Sequence, residues 1–201
     1  MTILLNTKMN NSHYKLLELF ADLVKIDRFD IDLATKLFEP IATTKGQILV
    51  EAGKTAKHLY FINSGFIRVY YLHDGAEVTN HINCPPGFIT SLNSFITETK
   101  SHEFVECVTN CSLLRITKKD LDTLYQHSQR WTEIGRVVYE QSLAYNEQRT
   151  KDIITLSAHQ RYLKLMSQHP GIIQNVPLQY IASFIGIKPE SLSRIRKQII
   201  S

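Results

Sequence analysis

The spacing of apolar positions divides the chain into a helical start, a β-rich middle and a helical end. Residues 13–24 and 30–38 carry apolar side chains at helical spacing, which predicts two short helices. Between 43 and about 117, short apolar runs alternate with turn residues, and many short strands with Gly-marked turns predict a β-barrel or β-roll. The predicted strands are 47–50, 59–62, 66–72, 78–82, 104–108 and 112–116.

Helical spacing returns after these strands. It predicts a short helix over 118–127, a long helix over 130–157, and a further helix over 158–168 that Pro170 and Gly171 end. The long helix has an incomplete apolar stripe, which fits packing on its own β-roll and fits equally well packing on the same helix of a second subunit. Its members are Trp131, Ile134, Val138 and Tyr145.

Residues 178–197, LQYIASFIGIKPESLSRIRK, predict two helices joined by a sharp turn. Gly186 stands at the turn, where glycine tolerates the positive φ that such a turn often needs. Pro189 and Glu190 suit the first turn of the second helix, where a missing N–H costs nothing and the helix dipole favours an acid. The inward positions of the two helices are Ile181, Ala182, Ile185, Leu192 and Ile195.

The outward face of this second helix carries residue types that read base edges and bind phosphates. Arg pairs with guanine, Glu accepts from the cytosine amine, and Ser serves either base or backbone. A solvated amphipathic helix is the alternative interpretation, but the spacing of inward and turn residues together with the outward basic residues favours a DNA-reading helix-turn-helix. The predicted DNA-binding residues are Lys188, Glu190, Ser191, Ser193, Arg194, Arg196 and Lys197.

The distribution of charge supports a separate nucleic-acid module. From Tyr145 onward the chain has 8 Lys/Arg and 3 Asp/Glu, a balance of +5, whereas the preceding part has 15 and 16, a balance of −1. With 201 residues and 43% hydrophobic content, the chain has room for one large domain or two small ones. A near-neutral body with a basic end is typical of a sensor or scaffold joined to a DNA-binding unit.

The sequence gives little support for a membrane protein, a secreted protein, a metal or redox site, or an enzyme. No apolar run of about 18 residues predicts a membrane span, and the N-terminus has no signal-peptide pattern. Cys84, Cys107 and Cys111 are an odd number, which favours a reducing cytoplasm. In a continuous strand Cys107 and Cys111 would lie some 13 Å apart, since each residue rises about 3.3 Å, so core thiols are favoured over a metal or redox pair. No catalytic set, metal site or cofactor is predicted, and an enzyme is not expected.

The segment KGQILVEAGKTAKHLYFINSGFIRVYY at 45–71, with its turn glycines, and ESLSRIRK at 190–197 resemble the Crp–Fnr family of bacterial transcription regulators. The resemblance implies an α+β protein. A double-stranded β-helix (jelly-roll-like) sensor domain would span 1–129, a dimerisation helix 130–157, and a helix-turn-helix 158–201.

In function, the resemblance implies a homodimer that binds palindromic double-stranded DNA, with Glu190 and Arg194 contacting bases. The apolar stripe of the long helix would form the dimer interface, and RNA polymerase is a further candidate partner. The family usually adds a β-hairpin wing after the second helix. Only 198–201 follow here, so a complete wing is not expected.

The effector site departs from the family pattern. Cyclic-nucleotide binders resembling this chain have Gly-Glu-Leu and, later, an Arg segment, whereas Thr90-Ser91-Leu92 and Ser101-His102-Glu103 stand here. Losing both polar anchors argues against cyclic AMP. Ser91, Leu92, Ser101 and His102 remain as a candidate pocket for an unidentified effector. The alternative function is a ligand- or protein-binding β-roll whose C-terminal helices serve assembly.

Overall fold

Two amphipathic helices precede the sheets in the computed structural model, which describes residues 11–200. After a 3-10 turn at Asn11–His13, α1 spans Tyr14–Leu23 and α2 spans Arg28–Leu37. Asp27 and Asp30 cap α2 reciprocally, because each carboxylate accepts from the other's backbone N–H, at 3.0 and 3.1 Å. The N-terminal segment without signal-peptide features lies largely outside the described residues.

Eight strands form two four-stranded antiparallel sheets. One sheet has the order β1-β8-β3-β6 and the other the order β2-β7-β4-β5, with α3 (Leu92–Thr97) between β6 and β7. The strands are β1 Glu39–Thr43, β2 Ile48–Val50, β3 His58–Ser64, β4 Ile67–His73, β5 Ala76–Asn83, β6 Gly87–Ile89, β7 Phe104–Cys107 and β8 Cys111–Thr117. The β-roll expected from the sequence is confirmed in outline, and β1, β6 and α3 are additions to it.

The inner faces of the two sheets enclose the main core. Period-2 alternation places Ile67 and Val69 of β4 inside, while Arg68 between them lies on the outer face. Phe61 and Leu114 fill the space between the sheets, and α1 adds apolar side chains at one end. The outer face of the β2-β7-β4-β5 sheet is thereby left for another element to cover.

Six helices complete the described chain. They are α4 Lys118–His127, α5 Gln129–Thr155, α6 Ala158–Gln168, α7 Pro170–Asn175, α8 Leu178–Phe184 and α9 Pro189–Ile200. Helix α6 ends at Gln168, just before Pro170 and Gly171, as expected, but these residues also open a further helix. Pro170 begins α7, where its missing N–H leaves no hydrogen bond unmade. The expectation that no complete β-hairpin wing follows the last helix stays a prediction.

The long helix α5 presents its predicted apolar stripe to its own β-roll. Trp131 and Ile134 are buried in the main core, where the Trp131 ring meets Phe20 edge-on at 5.3 Å. Val138 packs against the same core, and the Tyr145 ring lies 6.5 Å from the His81 ring of β5. Trp131 and Ile134 are thus not available for the predicted dimer interface, because packing within the protomer buries them. For Val138, which is partly buried, and Tyr145, which is 41% exposed, a place in that interface stays a prediction.

The C-terminal helices form a second hydrophobic cluster that includes residues of the β-roll. Tyr162, Ile172, Ile181 and Leu192 are buried in it. Ile82 and Val108, from β5 and from the turn between β7 and β8, belong to the same cluster. The helices therefore pack directly on the roll.

Candidate nucleic-acid interface and effector site

A tight turn at Gly186 joins α8 to α9. Gly186 has φ +73°, a conformation that L side chains rarely adopt, as the sequence predicted for this position. The N–H of Ile187 donates to Ala182 O at 3.0 Å, and Arg161 Nε of α6 donates to Ile185 O at 2.9 Å. Ala182 is fully buried, so the two helices approach closely beside it. The turn is thus fixed both by its own backbone and by α6.

Helix α9 has one buried side and one exposed side. Leu192 is fully buried and Ile195 is half-buried, which matches the inward face expected from the sequence. Lys188, just before α9, and Glu190 and Arg194 on its other side are exposed, and their side chains make no hydrogen bond or ion pair with any residue between 11 and 200. The exposed predicted DNA-binding residues are Lys188, Glu190, Ser191, Arg194, Arg196 and Lys197.

Ser193 differs from the other predicted DNA-binding residues. Its side chain is half-buried, and its hydroxyl donates to the backbone oxygen of Pro189 at 3.0 Å. A serine that is bonded to its own helix has less capacity for an external partner. Of the predicted DNA-binding set, Ser193 is the least available.

Helix α8, which precedes the turn, is held on the outer face of the β-roll. The Ser183 hydroxyl accepts from the backbone N–H of Thr79 in β5 at 2.8 Å. Farther along, Arg149 Nη2 of α5 donates to Phe184 O at 2.9 Å. These bonds and the second hydrophobic cluster set the position of α9 relative to the roll.

Arg68 forms the centre of the contact between α8 and the roll. Its guanidinium lies between the rings of Tyr70 and Tyr180, 4.0 and 3.5 Å from their centroids. It also donates to Glu106 at 2.8 Å and to Glu77 at 2.6 Å. Such a charge can be buried because carboxylates and ring faces replace its water. Sequence reasoning missed Arg68, since a lone Arg in a strand gives no signal of what will cover it.

The candidate effector residues do not form one open pocket. Ser91 and Ser101 are buried and Leu92 and His102 are exposed. The two buried hydroxyl oxygens lie 2.8 Å apart, and the Ser91 hydroxyl donates to the Glu103 carboxylate at 3.1 Å. The Ser101 oxygen also accepts from the Glu103 N–H at 3.0 Å. The hydroxyl groups already have partners within the chain.

Glu103 completes this cluster and gives it a negative charge. Asn80 Nδ2 of β5 donates to the second carboxylate oxygen at 3.2 Å. A phosphate placed here would meet a carboxylate of like charge and no guanidinium, and it would have to break existing hydrogen bonds. The cluster Ser91, Ser101, Glu103 and Asn80, hereafter the Glu103 cluster, is therefore poorly suited to an anionic ligand.

Comparison with known proteins gives the following similarities. Residues 41–128 match the cyclic nucleotide-binding domain family. Among curated proteins, none matches this sequence.

Several solved structures share the fold. FixK2 from Bradyrhizobium japonicum has a TM-score of 0.70 at 13% identity, covering 81% of this chain and 84% of its own. A protein from Eubacterium rectale described as a crp/fnr-family regulator has 0.68 at 16%, covering 90% and 85%. CLP from Xanthomonas campestris, a c-di-GMP-responsive global regulator, has 0.64 at 18%, covering 86% and 91%.

A β-roll that is followed by a long helix and a terminal helix pair defines the fold class of the Crp–Fnr regulators. Residues 41–128 of this chain match the cyclic nucleotide-binding domain family, and the resemblance to the Crp–Fnr family noted in the sequence is confirmed at the level of the fold. Across residues 11–200, none of the helices is long and apolar enough to cross a lipid bilayer.

Proposed function

We propose that this protein is a DNA-binding transcription regulator that acts as a homodimer on a palindromic site, with α9 as its recognition helix. The observation that carries the proposal is the exposed side of α9. Lys188, Glu190 and Arg194 are exposed while Leu192 is buried, and their side chains have no hydrogen-bond or ion-pair partners within residues 11–200. Side chains in this state are available to base edges and phosphates in a major groove.

The roles on α9 follow from residue chemistry. Arg194 donates to guanine as a bidentate pair, and Glu190 accepts from a cytosine amine. Ser191, in the first turn, contacts a base or a phosphate. Lys188, Arg196 and Lys197 neutralise phosphates, which supplies affinity without sequence preference.

The dimer in this proposal uses the side of α5 that faces away from the roll. Leu143 and Ile154 are 62% and 78% exposed, the largest fractions among the apolar side chains of α5. Together with the exposed Tyr139 they lie on one side of the helix, because spacings of four and eleven residues are close to whole helical turns. Two copies of α5 packed along this seam would cover these side chains and relate two recognition helices by a two-fold axis.

Cyclic AMP does not control the protein in this proposal, because the Glu103 cluster offers a carboxylate in place of the two family anchors. Titration of cyclic AMP into the protein is expected to give no saturable heat in calorimetry. A micromolar dissociation constant would contradict this part of the proposal. The protein would act in the cytoplasm, where the DNA and RNA polymerase are its partners.

Selection of bound DNA from a random pool tests the function. The expected result is an enriched palindrome whose half-site centres are about 34 Å apart, one turn of DNA. The matched control carries Lys188→Ala, Glu190→Ala and Arg194→Ala together, which removes the exposed groups and leaves Leu192 in place. If wild type enriches no sequence more than this control does, α9 does not read DNA. The helices would then serve assembly.

A further inference from the structure

The last turn of α8 leaves two carbonyl groups without a backbone partner. The N–H groups of 185–187 donate to oxygens farther back in the helix, within 181–183. The oxygens of Phe184 and Ile185 accept no backbone N–H from residues 11–200. Carbonyl groups at the end of a helix are commonly left in this state, and they carry the negative end of the helix dipole.

Two arginines from other helices supply the missing donors. Arg149 Nη2 of α5 donates to Phe184 O at 2.9 Å, and its guanidinium lies 4.5 Å from the centroid of the Phe184 ring. Arg161 Nε of α6 donates to Ile185 O at 2.9 Å. Both arginines are half-buried, and neither forms an ion pair with a carboxylate of residues 11–200. Their positive charges meet the negative end of α8 instead.

Arg161 also binds the end of the long helix α5. Its Nη1 donates to Leu156 O at 2.5 Å and to Ile153 O at 3.2 Å. One planar guanidinium thus joins the C-terminal ends of α5 and α8, a task that suits its fork of five donors. Arg149, within the last two turns of α5, makes a second connection to the same end of α8.

We propose that Arg149 and Arg161 are positioning residues, which hold the turn before α9 against the end of α5 and thereby fix the spacing of the two recognition helices in the dimer. The inference rests on the proposed function, in which α5 pairs across the two-fold axis and α9 reads DNA. The covalent path from α5 to α9 runs through three helices, over 156–188. Small shifts would add up along this path, whereas the two arginines connect its ends directly.

This role predicts an effect on the spacing of half-sites and not on the reading of one half-site. Neither arginine belongs to α9, so their removal leaves Glu190 and Arg194 in place. An α9 that is less firmly connected to α5 can still dock in a major groove. It can also reach half-sites whose separation the rigid dimer does not tolerate.

The test compares the selected operator with a version that has two additional base pairs between its half-sites, which moves them apart by about 7 Å along the DNA axis. Wild type should bind the longer operator about 10²-fold more weakly, because its two helices cannot dock on it together. Arg149→Ala combined with Arg161→Ala should lose less than about tenfold, with an affinity for a single half-site within about twofold of wild type.

The matched control is Arg28→Ala combined with Lys57→Ala, which removes two exposed positive charges far along the chain from the turn. It should discriminate between the two operators as wild type does. Wild-type discrimination in the variant that lacks both Arg149 and Arg161 would overturn the proposal. An equal loss of affinity for the half-site and for both operators would also overturn it, because the arginines would then bind phosphates directly.

Hydrogen–deuterium exchange of the free protein tests the connection without DNA. In the variant without both arginines, the amides of 185–187 should exchange faster than in wild type, while those of β3 and β8 should be unchanged. Unchanged exchange at 185–187 would overturn the proposal. If the double substitution unfolds the roll, Arg161→Lys, which keeps the charge without the planar fork, takes its place in both tests. If DNA selection enriches nothing while exchange at the turn responds, the proposed function fails and the connection between α5 and the turn stands.

Discussion

The proposed recognition helix α9 and the Glu103 cluster differ in whether their polar side chains already have partners. Lys188, just before α9, and Glu190 and Arg194 on it are exposed, and their side chains form no hydrogen bond or ion pair with residues 11–200. In the Glu103 cluster, hydrogen bonds of 2.8 to 3.2 Å join Ser91, Ser101, Glu103 and Asn80 to one another. The first region can form external bonds without breaking internal ones, and the second cannot.

This difference bears on which ligands each region can bind. A ligand for the Glu103 cluster must compensate for each internal hydrogen bond that it breaks, about 0.5–1.5 kcal/mol for each, and more where the carboxylate is involved. In the proposed function, DNA at α9 displaces mainly water and counterions. The same fold would then keep a DNA-reading end while the Glu103 cluster holds strands and α3 together.

The largest effect is expected from breaking the dimer on which α9 depends. Leu143→Glu combined with Ile154→Glu places charges in the proposed seam and should give a monomer in light scattering. A monomer binds a single half-site and should lose most of the roughly 10³–10⁷-fold preference for operator over non-specific DNA. Gln141→Glu, an exposed position on another side of α5, is the control. A monomeric wild type would contradict the prediction.

The next effect tests α9 directly. Arg194→Ala should weaken operator binding by about 1–3 kcal/mol per half-site, since a bidentate Arg–guanine pair contributes that much discrimination. Fluorescence anisotropy with the selected operator measures it, with thermal unfolding to confirm the fold. Arg28→Ala removes an equally exposed arginine of α2 and should leave affinity unchanged. Equal affinity of the two variants would remove Arg194 from the interface.

A smaller effect is expected from opening the Glu103 cluster. Glu103→Ala removes the acceptor for Ser91 and Asn80 and should lower the free energy of unfolding by about 1–3 kcal/mol, the cost of leaving buried polar groups unsatisfied. Glu103→Gln keeps one acceptor oxygen and should cost less. Chemical denaturation measures both variants. If Glu103→Ala is as stable as wild type, the hydrogen bonds of the Glu103 cluster do not stabilise the fold.

The last effect is a response to mild acid, which arises from a buried histidine of the roll and to which α9, with no histidine, does not contribute. Burial and, secondarily, the charge of Arg149 lower the pKa of His81 to about 4, from 6.5. The unfolded chain therefore binds the proton first. The free energy of unfolding should be undiminished above pH 6.5 and fall by about 1.4 kcal/mol per pH unit toward pH 4.

Denaturation of wild type and His81→Gln across this range checks the histidine prediction. The variant should have a flatter pH profile, whereas His73→Gln, at an exposed histidine, should keep the wild-type slope. Residual slope is expected from His58 and His169, whose pKa values burial also lowers. A wild-type slope in His81→Gln would show that another group controls the acid response.

Local patterns in the sequence predicted the elements that have strong periodicity or turn residues. The long helix was expected over 130–157 and spans Gln129–Thr155, and Gly186 has the expected positive φ. The short strands β1 and β6 were missed, because three to five residues with mixed polarity give too little alternation to detect. Their pairing with β8 and β3 is a long-range property.

The orientation of the apolar stripe on α5 illustrates what a single sequence leaves open. Trp131 and Val138 have the same helical spacing whether they meet the roll or a second subunit. Only the tertiary position of α5 shows that they meet the roll and that Leu143 is exposed. The same limit applies to Cys107 and Cys111, which the fold places in different sheets, at the end of β7 and the start of β8.

The position of Arg68 has a consequence for modularity. Its guanidinium is held by Glu106 and Glu77 of the roll and covered by Tyr180 of α8, and the second hydrophobic cluster draws on both parts. The C-terminal helices thus lack a complete core of their own. A functional exchange of these helices between related regulators would therefore also require exchange of the outer faces of β4 and β5. For the same reason, the roll and the C-terminal helices should unfold as one cooperative unit.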